Sequence, residues 1–403
     1  MKIVFNQCNL YTLLWCYYYW HSTTFATSDS FTRIMLLISI AWSIYYLIVV
    51  NVRYKLPFYL SGMNVLVLMF TIYGIVRYYE GQMFIADGGS IDPLYSLKKI
   101  YISILPVYAY YHFTKAGLLN IKLLKVYCIP FLAICFLAYF SYYAKRYGVE
   151  LDEGVELTNN TGYYFLSLIP IIVIWRDRPI LQYAFWGLIM IMLLLCFKRG
   201  AIVSGTVCLL AFIFLSIRRS ISLRRKITVL FLSIILLYFV INYIEHLFET
   251  SDYFRLRFEM SLEGDANGRD IMFPMFWNYL KSSSSLFLLF GGGIDHSIYT
   301  FGNYCHNDWF ELAICHGLIG FVCYVNYWIC FIRNIGIKKR DNMLYTAMIL
   351  FFLSSFLNTL YSFSFNSLLI FGTSMLGYCL AIERNVVYKK KLNKKNEKNK
   401  TFN

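Results

Sequence analysis

Long runs of mostly apolar residues recur along the whole chain of 403 residues. Many of these runs reach about 18 residues, the length at which an α-helix crosses the hydrocarbon core of a bilayer. Hydrophobic residues make up 59% of the sequence and charged residues only 15%, whereas about a quarter of a soluble domain is charged. A soluble core would place such residues in short periodic stripes. We therefore expect an all-α polytopic membrane protein.

The apolar runs divide into about twelve candidate membrane helices. These cover residues 3–20, 32–51, 58–79, 100–114, 121–143, 161–175, 179–197, 201–217, 227–244, 308–332, 343–360 and 363–382. The first run is interpreted as a membrane segment and not as a cleaved signal peptide, because Asn6, Gln7 and Asn9 interrupt it. The expected organisation is helices one to nine in 1–244, a large loop with short helices in 245–306, helices ten to twelve in 307–382, and a basic tail in 383–403.

The net charge of +15 is distributed unevenly over the connections between these spans. Most of the 37 Lys and Arg residues fall in alternate connections, most densely at 218–226, 333–340 and 384–400. Basic residues concentrate on the cytoplasmic side of membrane proteins. We therefore expect both termini in the cytoplasm and the 245–306 loop on the outer side. The basic tail then has membrane lipid as its partner, and we expect no nucleic acid.

Neither the eleven Cys nor the six His residues form a pattern typical of a metal site. Most Cys lie inside apolar runs without the close pairs that zinc requires, and Cys305 is the one expected outside the membrane. No two His stand at the i, i+4 spacing of a helical metal site, and no nucleotide-binding glycine motif is present. The sequence therefore predicts no metal and no cofactor.

Basic side chains also occur on the predicted outer side, where the orientation rule disfavours them. Lys198 and Arg199 occupy a short turn between two spans, and Arg269 precedes Asp270 in the large loop. A guanidinium group stays charged and grips two oxygens at once, so two such residues suit a diphosphate. The alternatives are snorkelling of Lys198 and Arg199 toward lipid headgroups and an ion pair of Arg269 with Asp265 or Asp270.

His306 directly precedes Asn307 and a segment, Asp308 to Glu311, that has the form of a capping box at a helix N-terminus. The positive end of the helix dipole disfavours a charged imidazole, so we expect His306 to be neutral at neutral pH. A neutral imidazole accepts a proton from a hydroxyl group, as a general base does. The alternative is a surface His that caps the helix. The glycines at 291–293 are interpreted as a turn, with a nest of backbone N–H groups around phosphate as the alternative.

Five short motifs follow one another in the second half of the chain. They are KRGA at 198–201, GRD at 268–270, FGGG at 290–293, HNDWFE at 306–311 and GLIG at 317–320. Their order and their placement relative to the membrane spans resemble the superfamily of O-antigen polymerases (Wzy) and O-antigen ligases (WaaL). The resemblance covers residues 160–380 best, and the first 150 residues are similar only as hydrophobic spans.

The resemblance implies a metal-independent glycosyltransferase with a GT-C-like fold in the bacterial cytoplasmic (inner) membrane, with the large loop in the periplasm. Its substrates would be an undecaprenyl-diphosphate-linked oligosaccharide donor and acceptor, and a chain-length regulator and a flippase are candidate partners. At the matching positions, Arg199 and Arg269 would bind the donor diphosphate and His306 would deprotonate the acceptor hydroxyl. The supporting candidates for substrate binding are Lys198, Asp270, Asn307 and Tyr304. The alternative for Asn307, as for Asp308, is that it caps the helix.

Polymerases join repeat units to one another, whereas ligases transfer glycan to a lipid A core. We expect the polymerase, because the small size, the Tyr and Phe content and the compact loop are more similar to Wzy proteins. A lipid-linked oligosaccharide flippase would place ionisable residues at mid-membrane on several helices, whereas the centres of the predicted spans are nearly free of them. A noncatalytic assembly subunit would tolerate loss of the His and Arg side chains.

Overall fold

The computed structural model describes most of the chain. The described residues are 6–24, 30–81, 83–84, 90–92, 94–147, 159–218, 222–251, 254–256, 258–259, 269–336, 342–360 and 371–382. The predicted basic tail at 383–403 lies outside the described residues, as does most of the first part of the large loop, including Asp265 and Gly268.

The described residues are almost entirely helical. In chain order the helices are α1 (Gln7–Thr24), α2 (Ser30–Arg53), α3 (Phe58–Glu80), α4 (Tyr95–Ile104), α5 (Pro106–Lys115), α6 (Ile121–Tyr147), α7 (Gly162–Ile172), α8 (Pro179–Leu195), α9 (Arg199–Arg218), α10 (Leu223–Thr250), α11 (Arg269–Ser282), α12 (Ser285–Phe290), α13 (His296–Phe301), α14 (Asp308–Ile335), α15 (Asn342–Asn358) and α16 (Gly372–Ile382). A 3-10 turn, Val173–Trp175, extends α7. A short antiparallel ladder pairs β1 (Met83–Phe84) with β2 (Ser90–Ile91).

Six of the described helices are long and apolar enough to cross a membrane. They are α2, α3, α6 over Ile121–Tyr142, α9, α10 over Lys226–Thr250, and α14. Shorter apolar helices accompany them, namely α7 with its 3-10 extension, α8, α15 and α16. The expected total of about twelve spans stays a prediction.

One predicted span, 100–114, is divided between two helices. Helix α4 ends at Ile104, and Pro106 is the first residue of α5. Proline has no N–H to bond to the preceding turn, and its fixed φ suits the first position of a helix. The proline therefore places a helix boundary inside a run that is apolar throughout.

Helix α10 presents a continuous stripe of large apolar side chains on its outside. The exposed members of this stripe include Ile227, Leu230, Phe231, Ile234 and Tyr238. An apolar face of this length is unfavourable in water. Lipid hydrocarbon covers it without cost, so this face of α10 is a lipid-facing surface.

Tyrosine is an important component of the interior of the bundle. The buried hydroxyls of Tyr59 and Tyr327 are hydrogen-bonded at 2.9 Å, which ties α3 to α14. The buried Tyr11 hydroxyl lies 2.7 Å from that of Ser43 and links α1 to α2. Each pair satisfies polar groups that are costly to leave unbonded in a low-dielectric interior.

Helix α14 is interrupted at Gly317, whose φ of 60° and ψ of −157° are not helical. The chain after α12 crosses this interruption. The N–H of Gly292 donates to the carbonyl of Ile314 (2.9 Å) and that of Gly293 to the carbonyl of Cys315 (2.8 Å). The bend removes the helical donors for the Ile314 and Cys315 carbonyls, and the two glycine N–H groups take their place. The turn interpretation of 291–293 fits this arrangement, because the amides that a phosphate nest would use are bonded to α14.

The crossing point is closely packed. A Cβ on Gly317 would lie 2.6 Å from the backbone nitrogen of Gly291, so neither of the two crossing segments has room for a larger residue here. The Tyr73 hydroxyl of α3 donates to the Phe290 carbonyl at 2.6 Å and lies 3.1 Å from the His316 carbonyl. Helices α3, α12 and α14 are thereby joined at one point.

The two ends of the bundle differ. The α8–α9 turn, α11, α13 and the start of α14 lie at one end, which we call the loop end. Helices α8, α9 and α10 pack against one another, and the start of α8, the end of α9 and the start of α10 line one cavity, so successive helices run in opposite directions. The α7–α8 turn, the end of α9 and the start of α10 therefore lie at the opposite end, which we call the basic end.

Candidate functional site

The turn between α8 and α9 has an unusual backbone. Phe197 has a φ of 51°, a left-handed conformation uncommon outside glycine, and its ring packs on Phe254 with centroids 5.9 Å apart. The ammonium group of Lys198 lies 6.0 Å from the centre of the Tyr163 ring. Arg199 is the first residue of α9 and is half-buried. The two cations of the KRGA motif thus lie together where α9 begins.

His306 has a φ of 49° and is also left-handed. The next residue, Asn307, is the N-cap of α14: its side-chain oxygen accepts from the N–H groups of Trp309 (2.9 Å) and Phe310 (3.2 Å). Of the two capping candidates, Asn307 and Asp308, the structure selects Asn307, because the chain enters the helix one residue before the capping-box pattern places its start. Left-handed conformations of this kind persist only where the surrounding structure enforces them, and they are frequent at functional sites.

The two carboxylates of the expected capping box have other partners. Asp308 is fully buried and accepts from the Tyr324 hydroxyl at 2.5 Å. Glu311 accepts from the Ser297 hydroxyl at 2.5 Å and from the backbone N–H of Cys305 at 2.8 Å. Cys305 is fully buried. Glu311 therefore anchors the backbone immediately before His306.

His306 is half-buried and lies near two cations. Burial, together with the positive charges of Arg269 and Lys198, lowers its pKa below the ordinary value of 6.5. These three side chains come from distant parts of the sequence: the turn before α9, the first residue of α11 and the segment before α14. The lowered pKa agrees with the neutral imidazole predicted for His306, although burial and the cations cause it and not the helix dipole alone.

The position of Arg269 follows from the packing of α11 on the start of α14. Phe276 of α11 is fully buried, and its ring centroid lies 5.7 Å from that of Phe310. Phe273, one turn earlier, contacts the same ring at 5.3 Å. These contacts hold the N-terminal end of α11 beside His306. The Asp270 side chain lies outside the described residues.

Tyr304 and Asn307, two supporting candidates, make contacts within the protein. The hydroxyl of Tyr304 lies 3.1 Å from that of Ser96. Asn307 caps α14 and its amide group lies 3.4 Å from the Leu360 carbonyl. Both residues shape the segment that contains His306, and a contact of either with substrate stays a prediction.

A second polar group beside this segment, which we call the Asp295 cluster, consists of Arg77, Ser96, Asp295 and Tyr304. Ser96 donates to the buried Asp295 carboxylate. Burial raises the pKa of Asp295, and the Ser96 hydrogen bond and the positive charge of Arg77 oppose this rise. Arg77 is fully buried near the end of α3 and donates to the Gly81 carbonyl at 2.6 Å.

Sequence reasoning did not single out Arg77 or Asp295. The available signal was a charged residue inside a predicted span, because an ionisable group at membrane depth is expensive and usually has a partner. The electrostatic interaction of Arg77 with Asp295 could not be identified from the sequence, since α3 and residue 295 are brought near each other only by folding. Asp295 is also the third non-glycine residue with a left-handed backbone among those described, with a φ of 66°.

The fold and this geometry define a helical membrane protein with two cations around a neutral His at the loop end. Among the described residues, no group of three or more His, Cys, Asp or Glu side chains is arranged to hold a metal ion. Comparison with protein-family models, curated proteins and solved structures found no match for this chain.

Proposed function

We propose that the protein is a glycosyltransferase of the bacterial cytoplasmic membrane that polymerises undecaprenyl-diphosphate-linked repeat units into a surface polysaccharide. A GT-C-like fold of about twelve spans with its loop end in the periplasm is part of this proposal. The supporting observation is the grouping of Lys198 and Arg269 around His306. The same residues belong to the motifs that resemble Wzy proteins.

The cations are suited to the diphosphate of the lipid-linked donor. Lys198, Arg199 and Arg269 belong to two helix starts at the loop end, α9 and α11. Helix N-termini favour anions, and the fixed positions of the cations need little rearrangement as negative charge develops on the leaving diphosphate. Charge stabilisation of this type lowers the barrier to breaking the glycosyl–phosphate bond without a metal ion.

His306 is suited to receive the acceptor's proton. In the proposed reaction the acceptor hydroxyl oxygen bonds to the anomeric carbon while the bond from that carbon to the diphosphate oxygen breaks. The hydroxyl proton passes to the His306 imidazole, and the electron pair leaves with undecaprenyl diphosphate. A bound diphosphate also offsets the charges of Lys198 and Arg269, so donor binding raises the pKa of His306 and strengthens it as a base.

The test is polymer formation in cells that lack the native protein. We expect His306→Ala, Arg199→Ala and Arg269→Ala to give single repeat units where the native chain gives a ladder of surface glycan on a gel. The matched controls are His246→Ala, an exposed His on α10, and Arg333→Ala, an exposed Arg near the end of α14. All variants are compared at equal membrane abundance.

Other outcomes of this experiment identify the alternatives. Ladders in all three site variants contradict the assignment of the site and favour a noncatalytic subunit. If cells without the protein still form polymer, but that polymer stays on undecaprenyl diphosphate and does not reach the lipid A core, the protein is a ligase. Repeat units that accumulate on the cytoplasmic face when the protein is absent indicate a flippase.

A further inference from the structure

A cavity of about 490 Å³ lies at the basic end of the bundle, at the opposite end from His306. Its walls are the turn between α7 and α8, the end of α9, and the starts of α10 and α15. Small-molecule sites commonly have volumes of about 300–1,000 Å³. The cavity is therefore large enough for a lipid headgroup, and it is separate from the site proposed for glycosyl transfer.

The charge around this cavity favours an anion. Arg176 and Arg224 line it, with Asp177 as the acidic residue of the lining. Helices α8, α10 and α15 all begin at its wall, and the first N–H groups of a helix have no partner within the helix. Three positive helix ends and two guanidinium groups thus face one space.

Several neutral hydrogen-bond donors in the cavity lining already donate to backbone carbonyls of the protein. The amide of Gln182 donates to the carbonyl of the last residue of α7 at 3.1 Å. The hydroxyls of Thr228 and Thr346 donate to carbonyls of their own helices at 3.0 and 2.8 Å. An uncharged sugar would need such donors, whereas a phosphate interacts chiefly with cations and helix N–H groups. The donor set therefore suits phosphate better than sugar.

The remaining lining is apolar and adjoins lipid. Phe212 of α9 and Val229 of α10 are buried side chains of the cavity wall. On α10 the neighbouring Ile227 and Phe231 belong to the lipid-facing surface. We propose that the cavity binds the phosphate headgroup of an anionic lipid, with Arg176 and Arg224 on the phosphate and the acyl chains along α10.

The experiment measures binding to the purified full chain in detergent micelles. The probes are dioctanoyl phosphatidic acid, dioctanoylglycerol and inorganic phosphate, followed by intrinsic tryptophan fluorescence. We expect the phosphatidic acid to bind and the other two probes to bind much more weakly. The Arg176→Gln/Arg224→Gln double variant is expected to lose about tenfold or more in affinity. Arg333→Gln, which removes an exposed Arg near the end of α14, is expected to keep native affinity.

A second variant tests the cavity while leaving its charges intact. Leu215→Phe narrows the cavity without adding a tryptophan to the fluorescence signal and is expected to weaken binding. Thermal unfolding checks that each variant is folded. Native affinity in the folded double variant overturns the proposal, as does equal binding of dioctanoylglycerol. Equal binding of inorganic phosphate overturns the assignment to a lipid.

Discussion

Arg269, the first residue of α11, lies close enough to His306 for their charges to interact. Burial and this guanidinium, with Lys198, hold the pKa of His306 below its ordinary value. A protonated imidazole would be repelled by both cations, so His306 is neutral at neutral pH. The arrangement leaves the positive charge for an anionic ligand and keeps the imidazole available to accept a proton.

Lys198→Gln provides a test of this electrostatic relationship. Removing the cation is expected to raise the pKa of His306. On the proposed function, protonation disables His306 as a general base, so the acid limb of kcat/KM, which reports the enzyme without bound donor, lies below pH 6.5 in the native protein and at higher pH in the variant. The measurement is the initial rate of polymer formation from purified lipid-linked repeat units, at concentrations well below KM, across a pH series. Lys226→Gln, at the basic end, is the control, and an acid limb that does not move would show that Lys198 has no influence on His306.

Gly317→Ala tests the crossing of α12 and α14. Gly317 has a positive φ, and an added Cβ would lie 2.6 Å from the Gly291 nitrogen. We expect a loss of about 1–3 kcal/mol from backbone strain, with more from the clash. Gly336→Ala is the matched control, because its φ of −63° is helical and its new Cβ would meet only ordinary contacts from 3.5 Å. Thermal unfolding in micelles measures both, and equal midpoints would contradict the described crossing.

Substitution of Asn307 separates capping from substrate binding. Asn307→Ala removes the acceptor for the Trp309 and Phe310 amides and is expected to cost about 1 kcal/mol. Asn307→Asp keeps a capping oxygen, so stability is expected to stay near the native value. If Asn307→Asp is as stable as the native protein but forms no polymer, residue 307 affects the site as well as capping the helix, either through its amide or through the new charge beside His306.

A double-mutant cycle tests the interaction of Arg77 with Asp295. Arg77 and Asp295 interact through their charges without direct contact, and either Arg77→Met or Asp295→Asn is expected to cost about 1–3 kcal/mol, because buried polar groups are left less well satisfied. The double variant is expected to cost less than the sum. The control is the Lys98–Asp92 ion pair, 2.6 Å long and partly exposed at 29% and 53%, whose coupling we expect to be below about 1 kcal/mol. Additive losses for Arg77 and Asp295, measured by unfolding, would show that the two charges do not interact.

The site is partly predictable from the sequence. Lys198, Arg269 and His306 were recognisable because charged and titratable groups near predicted span ends and in a long loop are uncommon and expensive unless used. The N-cap of α14 is predictable only as Asn307 or Asp308, since both are good capping residues and the choice depends on the path of the preceding strained segment. Glu311 and Asp308 were assigned to a local motif, whereas their partners, Ser297 and Tyr324, come from the fold.

The sequence by itself determined that this is a helical membrane protein. Runs of apolar residues as long as a bilayer is thick leave the backbone no alternative but helix, whatever the neighbours are. The tertiary structure decided which polar groups meet. The proximity of Arg269 to His306, of Arg77 to Asp295 and of the glycine loop to the bend at Gly317 arises from side-chain packing between segments far apart in the chain. Such packing depends on shape and space, which local patterns of residue type do not specify.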